Sequence, residues 1–266
     1  MLAPLLAALA LSLPGFAPFG TGPDGGQVLK GVFPGTERPG YVYLPPGFQA
    51  SQRYPVVYLL HGMPGSPSEY LAGANLPNWA DGAIAEGTER PFIGVMPAAG
   101  PDRGYNGEWA GPVAAAVVDL VPWVDEHLPT LPDAADRVIA GLSAGGYGAI
   151  DIALLHPGLF GRAESWSGYF TPLHDGPFRD APKSVLLAND PVLVARAEAR
   201  LLRRSGIRFF VSTGPSHSHW FKAEQSQSFA LELQSLRIPV AWRAYASAKG
   251  EWREQLDAGL TCAFPS

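Results

Sequence analysis

Cysteine occurs once in 266 residues, at Cys262. A lone thiol excludes an internal disulfide and any metal site built from paired cysteines. It stands near the C-terminal end with no tight turn around it, so it is not read as a nucleophile. Basic charge is scarce as well: 19 Lys and Arg against 24 Asp and Glu leave a net charge of −5. The densest basic patch, Arg203-Arg204 with Arg208, reads as a solvated helix face, and nucleic acid is not an expected partner. A hydrophobic run long enough to cross a bilayer, about 20 residues, is also missing. Leu2 to Leu13 is nearly all Ala and Leu, but Pro4 interrupts it and Pro14-Gly15 stops it. Such a stretch fits the apolar region of a secretory signal, with Gly15-Phe16-Ala17 as a small-x-small cleavage site. Against this, no Lys or Arg precedes the run and Pro18 is a poor residue to follow a cut. The truncated end of a longer membrane segment would look the same. The expectation is a signal-like segment over residues 1–20, with export or cell-envelope association and membrane proximity through that segment.

From residue 25 to 266 the chain reads as one α/β domain, without an internal repeat or a low-complexity linker. Gln27 to Phe33 and Arg38 to Leu44 read as strands, and Tyr54 to Leu60 is the continuous apolar run of a strand buried on both faces. Further strands are expected at Phe92 to Met96, Arg137 to Ala140, Arg162 to Ser167, Arg208 to Ser212 and Pro239 to Tyr245. Helices are expected at Trp79 to Glu86, Val113 to His127 with a kink at Pro122, and Ala144 to His156. Three more follow at Val192 to Arg204, Gln225 to Ser235 and Trp252 to Leu260. Strands alternating with helices predict a mostly parallel sheet covered on both faces. A Pro/Gly/Asp-rich excursion within 170–185 is the one candidate cap.

Glycine is plentiful, and its placement matters most at Gly141-Leu142-Ser143-Ala144-Gly145. Strand signals precede this pentapeptide and helix signals follow it. Gly-x-Ser-x-Gly in a strand–turn–helix context suits a nucleophile elbow, because bulky residues beside so sharp a turn would collide. Gly146 and Gly148 are expected to let the helix pack closely on the sheet. Ser143 would then stand above the sheet at a helix N-terminus, whose dipole and free amides favour developing negative charge. Chance occurrence is the bland alternative in a chain with 31 glycines, and the flanking elements weigh against it.

Several stretches carry a family resemblance. Val57-Tyr58-Leu59-Leu60-His61-Gly62, Val95-Met96-Pro97 and Gly141-Leu142-Ser143-Ala144-Gly145-Gly146-Tyr147-Gly148-Ala149 resemble the esterase D family of α/β-hydrolases. So do His156-Pro157 followed by Phe160-Gly161, and Ser165-Trp166-Ser167-Gly168. The likeness runs in order over about residues 38 to 170. It implies the α/β-hydrolase fold and a serine hydrolase or acyltransferase acting on a carboxylic ester, without metal or organic cofactor. Acyl transfer needs two amide donors where the carbonyl oxygen becomes negative. One comes from the residue after the nucleophile, Ala144. By resemblance the other is the residue after His-Gly, Met63. His61 itself is read as shaping that loop rather than as a base.

The likeness breaks at the base. The family commonly carries Gly-His-x-Trp after its last strand, whereas this chain has Ala248-Lys249-Gly250-Glu251-Trp252, with Gly250 at the histidine position. The preceding loop, where many members place an aspartate, is Thr213-Gly214-Pro215-Ser216-His217-Ser218-His219-Trp220, with two histidines and no acid. Three readings stand open. His217 (or His219) could be the base with Glu251 orienting it, and Glu224 as the substitute acid. The chain could be a hydrolase homologue that has lost its base and binds a carbohydrate or lipid. Or the histidines could be surface residues, with a remote one such as His174 serving. Triads are defined by geometry rather than chain order, so the first reading breaks no physical rule. The substrate is expected to be a small-molecule, lipid or polysaccharide ester.

Other polar residues have structural readings. Asn189-Asp190 before Pro191 looks like a helix cap. Asp119, Asp125 and Glu126 are placed on a solvent face, His127 at a helix C-terminus and His156 at a helix end. Trp109, Tyr105, Trp166, Tyr169 and Trp220 could line an acyl or aromatic pocket or simply fill the core.

Overall fold

A computed structural model describes residues 13–100, 109–174, 176–214, 223–245, 251–261 and 263–264. The strands are β1 (Phe16–Thr21), β2 (Gln27–Val32), β3 (Pro39–Leu44), β4 (Val56–Leu60), β5 (Ile93–Met96), β6 (Arg137–Leu142), β7 (Arg162–Trp166), β8 (Arg208–Thr213) and β9 (Val240–Ala244). They form one nine-stranded sheet in the order β1-β2-β3-β5-β4-β6-β7-β8-β9. The first three strands are antiparallel to their neighbours, and every pairing from β5 to β9 is parallel. This is the expected mostly parallel sheet of the α/β-hydrolase fold.

The helices are α1 (Glu69–Ala72), α2 (Leu76–Ala85), α3 (Pro112–His127), α4 (Ala144–Leu155), α5 (Lys183–Ala188), α6 (Pro191–Ser205), α7 (Ala223–Ser235) and α8 (Glu251–Leu260). Successive strand residues face opposite sides of a sheet, and the core divides accordingly. Val56, Tyr58 and Leu60 of β4 join Ile139 of β6 and Val211 of β8 under α3, α4, α6 and α7. Val57 and Leu59 join Val138, Ala140 and Leu142 under α1, α2 and α8. Two apolar layers on opposite faces explain why β6 is buried at all six positions and, after Arg137, reads as an unbroken apolar run rather than an alternating one.

Several elements differ from the sequence expectations. Residues 13–21 belong to the domain: Leu13 is 3% exposed, and Phe16–Thr21 pairs with β2. The domain therefore begins before residue 25, and Gly15-Phe16-Ala17 opens a sheet strand; residues 1–12, the rest of the signal-like segment, lie outside the described residues. The edge strand was illegible because Pro18 and Gly20 break its pattern, and its register shifts between those two residues. Two short helices, α1 and α5, were also unforeseen. Asp125 is not merely solvated: it pairs with Arg137 at 2.5 Å and accepts from the Thr130 hydroxyl at 2.6 Å. Asp190 caps α6 as expected, accepting from the amides of Val192 and Leu193. Among the described residues no helix is long and apolar enough to cross a membrane.

Candidate active site

Parallel strands deliver their following loops to one edge of the sheet, where ligands of open α/β sheets bind. In register, Leu60 of β4 lies opposite Gly141 of β6, Leu142 opposite Trp166 of β7, and Trp166 opposite Ser212 of β8. The residues after these strand ends are His61, Ser143, Ser167 and Gly214, so four loops meet there.

Ser143 leaves β6 with φ 53° and ψ −115°, a backbone state that costs a non-glycine residue about 1–3 kcal/mol. Its neighbours hold it there. The Ser143 amide donates to the Trp166 carbonyl at 2.9 Å, and its carbonyl accepts from the Tyr147 amide at 3.0 Å. A Cβ on Gly145 would run into the Leu60 carbonyl, and one on Gly141 would lie 2.7 Å from the Leu60 oxygen. The elbow and the end of β4 therefore touch backbone to backbone. Gly146 faces Ser165 of β7, whereas Gly148 makes room for Trp109 rather than for the sheet. Ser143 remains partly exposed at the start of α4. The first amides of a helix have no partner inside it, and Ala144 supplies the first of them.

The loop after β4 lies against this elbow: a Cβ on Gly62 would sit in ordinary contact with the Ser143 Cβ, at 3.5 Å. His61 organises the loop from within. Its Nδ1 lies 2.8 Å from the Gly62 carbonyl, and its Nε2 accepts from the Ala99 amide at 3.1 Å. Since Nε2 accepts, Nδ1 carries the proton and donates. Burial lowers the imidazole pKa to about 4, against the weaker opposing pull of the Gly62 bond, so at neutral pH the ring is uncharged. The His61 carbonyl accepts from the Trp109 indole at 3.0 Å, and the two rings meet edge to face at 5.1 Å. The Gly62 carbonyl and the Met63 N–H belong to one planar peptide group. Holding one fixes the direction of the other.

Met63 and Ala144 share an apolar cluster with Ala110, Tyr147, Tyr169, Phe178, Leu173 and Leu186. Tyr147 and Tyr169 stack at 5.0 Å, and the Tyr147 hydroxyl donates to the Asn189 carbonyl at 2.7 Å. The excursion around 170–185 thus folds down beside the elbow and continues into α5. Trp109 and Trp166 are 1% and 2% exposed; both frame the site, and Trp109 also lines a cavity with Pro97, Ala98, Val113 and Val117. The Trp166 indole donates to buried Glu164 at 3.0 Å, which also pairs with Arg162.

On the other side of the elbow, buried Gln255 of α8 accepts from the Ser212 hydroxyl at 2.6 Å and donates to the Ser167 hydroxyl at 2.9 Å. The same Ser167 oxygen accepts from the Gly214 amide at 3.1 Å. This network ties α8 to the ends of β7 and β8, and nothing in the sequence marked Gln255. His217, His219, Gly250, Tyr105 and Trp220 lie outside the described residues. Glu251 is placed as the first residue of α8. Glu224 is exposed and lines a groove between α6 and α7 with Phe170, Thr171, Arg196 and Glu232. Among the described residues that lining includes neither Ser143 nor Met63. His174 lies exposed on the excursion.

A strained serine at a strand–helix elbow, beside the loop that follows β4 on a mostly parallel sheet, fits the α/β-hydrolase fold. The chain belongs to the esterase family described as "Putative esterase", whose model matches residues 32–261. Over 138 residues, 48% of its length, it is 33% identical to the esterase Rv1288 of Mycobacterium tuberculosis, of which the match covers 28%. It is likewise 33% identical over 131 residues to an endo-1,4-beta-xylanase/feruloyl esterase of Xylanibacter ruminicola, covering 18% of that protein. The chain thus spans less than a third of these curated relatives. Its fold superposes on a ferulic acid esterase with a TM-score of 0.71 at 21% identity, over 92% of this chain and 95% of that one. An S-formylglutathione hydrolase from Agrobacterium tumefaciens gives 0.70 at 14% identity, over 93% and 97%.

Proposed function

We propose that the chain hydrolyses a carboxylic ester, or transfers its acyl group, through an acyl-enzyme on Ser143. One observation carries this reading: a strained serine at the head of α4 touches a loop whose peptide orientation is fixed by a neutral histidine. Ser143 Oγ would give its proton to a base and attack the ester carbonyl. The negative oxygen would rest on the amides of Met63 and Ala144, the geometry that acyl transfer requires. The alcohol then leaves with the proton, and water or a second alcohol releases the acyl group. His217 is the proposed base (His219 the alternative), with Glu251 orienting it and Glu224 in reserve. No metal or organic cofactor has a role in this scheme. The substrate is a small-molecule, lipid or polysaccharide ester, and an exported or envelope location rests on the apolar residues 1–12 alone, since residues 13–21 belong to the domain.

Fluorophosphonate labelling and p-nitrophenyl acetate turnover test the reading together. The parent protein should label, and Ser143→Ala should abolish both signals while the fold survives. His217→Ala should cost several orders of magnitude in turnover, because proton removal and nucleophile positioning are lost together. A parent that never labels would overturn the enzyme reading in favour of a ligand-binding homologue.

A further inference from the structure

The oxyanion-type loop contains a carboxylate that the mechanism above does not use. We propose that Glu69 is a positioning residue: its side chain clamps residues 62–66 into the shape that aims the Met63 amide at the reacting oxygen. The inference rests on the serine-esterase reading.

Glu69 opens α1, and its carboxylate lies inside the 62–66 turn, where the backbone amides of Ser66 and Gly62 favour its charged form. Gly65 lies directly beneath it; a Cβ there would collide with Glu69 Oε1 and lie 2.7 Å from the Gly62 oxygen. The carboxylate therefore sits inside the turn, in space that only a glycine leaves open. The spacing Ser66-Pro67-Ser68-Glu69 looks like a capping box, but the cap residue of α1 is Ser68, whose side chain makes no cap hydrogen bond, and Glu69 is the first helical residue rather than the third. Capping does not account for the position of this carboxylate. The Gly62 amide lies outside the first turn of α1, and a capping box needs no bond to it. The energetics also disagree: a cap adds only modest stability, whereas a buried polar atom left unsatisfied costs at least as much, and more when charged. Glu69 Oε2 is such an atom, shut off from solvent and without a hydrogen-bond partner among the described residues, and burial raises the carboxyl pKa. A solvent-facing glutamate would cap α1 without that loss.

What the burial achieves is a peptide held on both sides. The Glu69 carboxylate draws on the Gly62 amide from inside the turn, and His61 Nδ1 donates to the carbonyl of the same residue. With both ends of Gly62 fixed, the Met63 N–H has one direction, and donors preset in this way need no reorganisation as charge develops. His61 works from the side of β5 through Ala99, and Glu69 from the side of α1.

The test uses the full chain and compares Glu69→Ala, Glu69→Gln and Ser143→Ala with Asp81→Asn. Asp81 is buried in α2, accepts from the Tyr43 hydroxyl at 2.7 Å, and touches none of the loop. Glu69→Ala should lower kcat on p-nitrophenyl acetate about tenfold or more, short of the roughly 10²–10³ for losing an oxyanion donor outright, with KM nearly unchanged. Glu69→Gln, which keeps a carbonyl acceptor, should recover part of that loss. Amide hydrogen exchange read by NMR should quicken at Gly62 in Glu69→Ala and stay at the parent rate in Asp81→Asn, although both lower Tm. If Ser143→Ala keeps parental turnover, the serine reading falls and the Glu69 role with it. If Ser143→Ala is inactive but Glu69→Ala matches Asp81→Asn in kcat and in Gly62 exchange, only the Glu69 role is overturned.

Discussion

Replacing His61 in two ways separates its two hydrogen bonds. Nδ1 donates to the Gly62 carbonyl at 2.8 Å, and Nε2 accepts from the Ala99 amide at 3.1 Å. An asparagine amide nitrogen falls close to the place of Nδ1, and a glutamine carbonyl oxygen close to that of Nε2. His61→Asn therefore keeps the bond to Gly62 and orphans the Ala99 amide. His61→Gln keeps the bond to Ala99 and releases the Gly62 carbonyl. Each leaves one buried backbone group unpaired, at about 1–3 kcal/mol, so both variants should lose comparable stability. Turnover should divide them. In His61→Gln the Gly62–Met63 peptide is free to rotate, and kcat should fall by about 10- to 100-fold, below the roughly 10²–10³ for removing an oxyanion donor altogether. His61→Asn should stay within about threefold of the parent, because its Met63 amide is still aimed. Calorimetric Tm and p-nitrophenyl acetate kinetics at pH 7.5 are sufficient. Equal kcat in two equally destabilised variants would refute the claim that His61 acts through the Gly62 carbonyl.

Acid should unfold this protein partly through the same ring. The folded pKa of His61 is depressed to about 4 from 6.5, so the unfolded chain binds the extra proton first as pH falls. Stability is fully present above pH 6.5 and declines towards pH 4, by up to about 3 kcal/mol at one pKa unit per 1.36 kcal/mol. Denaturant melts at pH 7 and pH 4.5 should show the decline, with a shallower one in His61→Asn; parallel pH profiles would assign it elsewhere. Gly145→Ala places a methyl against the Leu60 carbonyl. It should cost about 1–3 kcal/mol or more by overpacking and abolish fluorophosphonate labelling, which a labelled, parent-like Gly145→Ala would contradict.

The sequence by itself determined the layering and the elbow. Strands buried on both faces show as unbroken apolar runs, so β4, β5, β6 and β8 could be placed within a few residues of their ends. The glycine spacing at 141–145 located the sharp turn because steric exclusion acts between near neighbours in the chain. The Asp190 cap was legible for the same local reason. What depends on partners distant in sequence was not legible. The edge strand Phe16–Thr21 lacks any periodic signal and exists because β2 offers it a ladder. Asp125 became an ion-pair partner only once β6 brought Arg137 beside it. Trp109 reads equally as pocket lining or core filling in the sequence, and only the tertiary structure puts its indole on the His61 carbonyl. Gln255 had no signal at all, since a buried glutamine is recognisable only from the Ser167 and Ser212 hydroxyls it joins. Glu69 left a trace in the Ser66-x-x-Glu69 pattern, but its reach to Gly62 follows from how the loop closes on itself. Local sterics and burial are written in neighbouring residues; hydrogen-bond partners across the sheet edge are decided only when β4, β6, β7 and β8 bring their ends together.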